Sequence, residues 1–118
     1  KYTDEAASLG RNVSIMIGIH GSNAMKALQE IPEHKSIPTI CELDPEDAFE
    51  INSKVWAPMW IKRGSKKDVK TMQAKGKKVF IWTVDKASRV KDFITEAGYD
   101  GILSNYPSVV AFYYYTRQ

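Results

Sequence analysis

The chain of 118 residues contains one cysteine, Cys41. An internal disulfide is therefore excluded, and a lone thiol leaves the redox compartment undecided. Cys41 lies inside the apolar run Pro38-Thr39-Ile40-Cys41-Glu42-Leu43. It reads as a small core residue and not as a nucleophile. No apolar run approaches the length needed to cross a membrane. No low-complexity linker interrupts the sequence, and the length suits one domain, residues 1–118, and not two. The chain opens Lys1-Tyr2-Thr3-Asp4 with neither a methionine nor a leader, so loss of an upstream segment is expected. Nothing in it fixes a localisation. Net charge is only +3, and the 43% hydrophobic and 26% charged fractions are ordinary for a globular protein.

What is present is a repeated strand–helix rhythm. Val79-Phe80-Ile81-Trp82-Thr83-Val84 is a continuous apolar and β-branched run, the pattern of a strand buried on both faces. Asp85 or Ser88 can cap the helix that follows. Val90, Phe93, Ile94 and Ala97 recur at helical spacing, and Gly98 stops that helix. Asp100-Gly101 reads as a turn, and Ile102-Leu103 opens another buried strand ending at Ser104-Asn105 before Pro107.

Earlier in the chain, a helix tail over residues 3–9 is ended by Gly10. Strands are expected over Val13 to His20, Pro38 to Leu43 and Val55 to Trp60. Helices are expected to start at Ser22 or Asn23, at Asp44-Pro45, at Ser65 and at Ser108. Strand starts recur every 17–25 residues, roughly, as in a β/α barrel. Parallel βα repeats place their chemistry at the carboxyl ends of the strands. Trp82, Thr83, Asp85, Ser104 and Asn105 stand at such ends.

Residues Trp82-Thr83-Val84-Asp85 and Gly98-Tyr99-Asp100-Gly101-Ile102-Leu103-Ser104-Asn105-Tyr106-Pro107 carry a family likeness. Together they resemble the end of the glycerophosphodiester phosphodiesterase family. There, Trp-Thr-Val-Asn/Asp closes the seventh strand of a TIM barrel, and Gly-Val-Asp-Gly-Ile-Ile-Thr-Asp-x-Pro follows on the eighth. This chain has Ser104-Asn105 where the family usually has Thr-Asp. The resemblance implies an α/β fold, the C-terminal portion of a TIM (β/α)8 barrel from about strand four to strand eight. It implies a parent hydrolase that splits a glycerophosphodiester into an alcohol and glycerol 3-phosphate with a divalent cation, Mg²⁺ or Ca²⁺.

A full barrel needs about 250 residues. The family's His-Arg-Gly, Glu-x-Asp and Glu-x-Lys motifs sit on the first three strands, and none has a match here. Neither His20 nor His34 lies in a matching context. The resemblance therefore implies no catalytic residue and no metal ligand in this chain, and no cation bound by it alone. The isolated chain is expected to be inert.

The resemblance places four residues around a substrate pocket: Trp82, His20, Trp60 and Asn105. Each has a plainer alternative. Trp82 could be an ordinary core tryptophan, and Trp60 could pack the barrel top beside Met59. His20 stands where the family usually has Phe. As a single His before Gly21 it reads more simply as a hydrogen-bonded rim residue than as a proton donor or phosphate ligand. Asn105 replaces a family Asp and so lacks its charge. Glu42 and Asp44 share strand parity and could point the same way, but Asp44 before Pro45 is better explained as a helix cap than as a metal ligand. His34 is expected in a solvated loop.

Lys54 to Lys78 holds nine Lys or Arg against one acid, Asp68. Lys62 and Arg63 could draw in an anionic phosphodiester. Lys66, Lys67, Lys70, Lys75 and Lys77 flank a helix and its exit without interleaved aromatics, so they read as a solvated outer helix face, and no nucleic-acid partner is expected. The Tyr113-Tyr114-Tyr115 run needs cover on more than one side of a helix. A missing N-terminal half or a second copy of the chain is the expected partner.

Overall fold

The computed structural model describes residues 1–63 and 66–116, with Lys62, Arg63 and Lys66 as backbone only. Five strands form one parallel sheet in sequential order: β1 Ile17–Ile19, β2 Thr39–Cys41, β3 Val55–Trp56, β4 Lys78–Ile81 and β5 Gly101–Ile102. Helix α1 (Tyr2–Ser8) precedes β1, and α2 (Ser22–Gln29) and a 3₁₀ turn at His34–Ser36 lead to β2. Helix α3 (Pro45–Glu50) leads to β3, and α4 (Trp60–Arg63) and α5 (Lys66–Ala74) lead to β4. Helix α6 (Ala87–Asp92) continues as a π-helical turn, Phe93–Ala97, before β5, and α7 (Pro107–Thr116) follows it. Sequential parallel strands joined by crossovers of one hand carry their helices on one face.

Strand alternation builds the core. Cys41, Val79 and Ile81 are fully buried with Met25 and Leu28 of α2, Val69 and Met72 of α5, and Val90 of α6. Ile40 and Phe80 alternate to the other face and are half-buried. Gly101 lies in β5, not in a turn as its Asp-Gly context predicts. A Cβ there would meet the Phe80 ring at 2.7 Å, so the missing side chain makes room for that ring. Asp100 ties the strand in by accepting a hydrogen bond from the Val79 backbone at 2.8 Å.

Several boundaries differ from the sequence pattern. β1 is confined to Ile17–Ile19 because β2 first pairs at Thr39, opposite Ile17, leaving Val13 and Ile15 without a neighbour. β3 stops at Trp56, and Trp60 instead opens α4. Pro58 has no N–H to extend a ladder. Gly21, and not Ser22 or Asn23, occupies the cap position of α2. Lys86, and not Asp85 or Ser88, holds that of α6. Ser65, expected to cap α5, lies outside the described residues. At α3 the expectation holds: Asp44 and Asp47 form a reciprocal capping box with Pro45 in the first turn. Gly98 closes the α6 segment at φ 73°, a left-handed conformation that glycine adopts without strain.

Among the described residues no helix is long and apolar enough to cross a membrane. The sheet has two outer strands, β1 and β5. Helix α7 contains no charged residue and buries none of its side chains fully. Val109, Val110 and Tyr113 lean on the core, while Phe112, Tyr114 and Tyr115 stay exposed.

Candidate functional site at the carboxyl ends of the strands

A cleft of about 410 Å³ opens at the carboxyl ends of β1 to β4, lined by His20, Glu42, Leu43, Asp44, Asp47, Pro58, Met59 and Trp82. His20 follows β1 directly, and Glu42 follows β2. Parallel register places Ile19 opposite Cys41, so the two next residues emerge side by side. Glu42 N–H donates to the Ile19 carbonyl at 2.9 Å, locking that register. Across it, His20 Nδ1 lies 2.5 Å from Glu42 Oε2.

Trp82 forms the opposite wall. Its indole Nε1–H donates to the Ala57 carbonyl at 2.6 Å. Its backbone bridges Met59, with Trp60 N–H donating to the Trp82 carbonyl at 2.9 Å. Its ring meets the His20 imidazole edge-on, with centroids 5.6 Å apart. The cleft therefore brings together two of the four residues singled out in the sequence, His20 and Trp82, and adds Glu42.

The other two lie elsewhere. Trp60 turns from the cleft toward α6, where it packs on Phe93 and lies under the Arg89 guanidinium at 5.4 Å. Asn105 joins the ends of β4 and β5. Its Nδ2 donates to Asp85 Oδ2 at 2.9 Å and its backbone N–H to Asp85 Oδ1 at 2.8 Å. Ser104 Oγ also donates to Asp85 Oδ1. These donors, led by the Asn105 side chain, hold the Asp85 carboxyl below its usual value.

Sequence reasoning passed over the Glu42 bond to His20 and the Asp85 bond to Asn105. The first had one readable signal. His20 and Glu42 both end apolar runs, and neighbouring parallel strands bring such ends together.

Among the described residues no three His, Cys, Asp or Glu side chains converge as a cation site requires. The carboxylates of the cleft do not fit one: Glu42 turns to His20, and Asp44 and Asp47 are engaged in the α3 cap. Cys41 is fully buried, and burial raises its pKa, which keeps it an inert thiol. His34 lies in the 3₁₀ turn His34–Ser36, where its Nδ1 bonds the Ile31 carbonyl at 2.9 Å, and it does not line the cleft. Within the basic stretch, Lys75 and Lys77 both lie over the Phe49 ring. The side chains of Lys62 and Arg63 lie outside the described residues.

A second apolar hollow of about 480 Å³ lies away from this chemistry, along β5 and α7. Ile102, Leu103, Val110, Tyr114 and Tyr115 line it. It belongs to the outer edge of the sheet and not to the strand-end cleft.

No protein-family model matches the chain. It is similar to the dermonecrotic toxin LamSicTox-alphaIC1 of Loxosceles amazonica, at 59% identity over 34 residues, 29% of this chain and 12% of the toxin. The toxin LruSicTox-alphaIC1c of Loxosceles rufescens matches at 56% over the same length. Among solved structures, an Oleispira antarctica phosphodiesterase in complex with the product sn-glycerol-3-phosphate superposes with a TM-score of 0.72 at 13% identity. That match covers 95% of this chain and 48% of the phosphodiesterase. A glycerophosphodiester phosphodiesterase from Parabacteroides distasonis gives 0.67 at 18%, covering 98% and 48%. The chain thus has the α/β fold of about half of such a barrel, as its sequence predicts.

Proposed function

We propose that this chain is the C-terminal part of a glycerophosphodiester phosphodiesterase-like hydrolase. The parent converts a glycerophosphodiester and water into an alcohol and glycerol 3-phosphate, with a divalent cation. The observation that carries this reading is Trp82 at the end of β4, forming one wall of a strand-end cleft with His20. In this reading the chain supplies walls of the substrate pocket. In this reading the acid, the base and the cation ligands come from the portion of the barrel that this chain does not span, because the family's His-Arg-Gly, Glu-x-Asp and Glu-x-Lys motifs have no match in the sequence.

The test is an assay of the purified 118-residue chain with glycerophosphocholine and Mg²⁺ or Ca²⁺. No turnover is expected. Clear turnover would show that the chain carries its own reactive groups.

A second reading is a half-barrel assembly module that pairs with a separate N-terminal half or with another copy. The charge-free helix α7 and the hollow beside β5 favour it. Leu103 spends its N–H and carbonyl on the β4 side. By strand alternation those of Ile102 face outward, where another parallel strand could bond them.

A further inference from the structure

His20 and Glu42 are 22 residues apart in sequence and meet at 2.5 Å. An ionised carboxylate only accepts hydrogen bonds, so the contact is Nδ1–H donating to Oε2. That fixes the neutral imidazole tautomer and leaves Nε2 as the ring atom for a ligand. The Glu42 side chain is 21% exposed and that of His20 74%, so the pair is anchored at its inner end and open at its outer one. Trp82 packs against the imidazole at 60° and limits its rotation.

The chemistry around Nε2 selects its partner. Glu42 and Asp47 line the same cleft, and their charge disfavours a phosphate group there. A hydroxyl both donates and accepts, and suits an imidazole nitrogen beside carboxylates. The Trp82 ring and Met59 offer apolar surface to the carbon atoms between hydroxyls.

We propose that His20, oriented by Glu42, binds a hydroxyl of the ligand's uncharged polyhydroxy alcohol part, while the phosphate is held outside this cleft. This assignment rests on the glycerophosphodiester reading above.

The test is side-chain nitrogen NMR on the whole chain, with His34 as internal reference. With the imidazoles neutral, His20 is expected to carry its proton on Nδ1, and Glu42→Gln is expected to move it mainly to Nε2. Added sn-glycerol 3-phosphate is expected to shift His20 Nε2, whereas inorganic phosphate at equal concentration leaves it in place. A wild-type His20 protonated mainly on Nε2 overturns the dyad without any variant having to fold. A phosphate shift as large as that of glycerol 3-phosphate overturns the assignment to a hydroxyl. If the Trp82 indole responds and His20 does not, the dyad fails and the pocket stands. If neither responds, the pocket reading falls with it.

Discussion

Asp85 and Asn105 form a two-point clasp between the ends of β4 and β5, with Asn105 giving both its side-chain and its backbone N–H to the Asp85 carboxylate. The clasp gives the amide of Asn105 its role. One carboxylate and one amide face each other, with the charge on the β4 side. An amide at Asn105 can donate to Asp85, whereas a carboxylate there would repel it.

Swapping the two groups tests this. Asp85→Asn and Asn105→Asp are each expected to lower the urea midpoint. The double variant, which exchanges carboxylate and amide, is expected to recover part of the loss. A double-mutant cycle with no coupling would show that the clasp is ornamental.

The Asp85 carboxyl also sets an acid limit. Hydrogen bonds from Asn105, then Ser104, hold its folded pKa below the unfolded one. Its contribution is therefore complete above the unfolded value, near 3.9 for an ordinary aspartate, and fades as pH falls through the lower folded value. The stability gap between wild type and Asp85→Asn is expected to close in strong acid. A gap independent of pH from neutrality to acid would contradict it.

Tyr99 gives the alkaline counterpart. Its ring is buried against Phe93, and its hydroxyl has no hydrogen-bond partner among the described residues. Burial, with Asp68 adding to it, pushes its pKa up to about 12. Between about 10 and that value the unfolded chain loses a proton that the folded chain keeps, so stability falls as pH rises. Tyr99→Phe is expected to be neutral or stabilising at pH 7 and to flatten the decline above pH 10, read by chemical denaturation.

Gly101→Ala is expected to destabilise by about 1–3 kcal/mol, because its Cβ would drive into the Phe80 ring. Pairing it with Phe80→Leu is expected to recover much of that loss. Thermal unfolding of the single and the double variant checks this, and a loss that Phe80→Leu leaves unrepaired would contradict a clash with the ring.

The outer face of α7 is the place to test assembly. Phe112 is 61% and Tyr115 82% exposed. Lysine at both positions is expected to leave the fold intact by circular dichroism and to abolish any self-association seen by light scattering. Undiminished self-association of the variant would move the interface elsewhere.

Much of the architecture was legible from local pattern. The apolar runs, the Asp44-Pro45 start and Gly98 each report on a few neighbouring residues, and the strand–helix rhythm follows from them. Strand ends were less legible, because a strand extends only as far as its partner does. Val13 and Ile15 have the composition of β1 but no partner from β2. Trp60 matches the apolar run before it, yet Pro58 breaks the ladder and the ring finds Phe93 and Arg89 instead.

The sequence by itself determined the alternation of strands and helices, since that depends on pattern within each repeat, and its Trp82-to-Asp85 motif marked a strand's carboxyl end by resemblance. Only the tertiary structure decided that His20 meets Glu42 and that Asp85 meets Asn105. Those bonds join separate repeats, and side chains from separate strands converge only once the register between them is set.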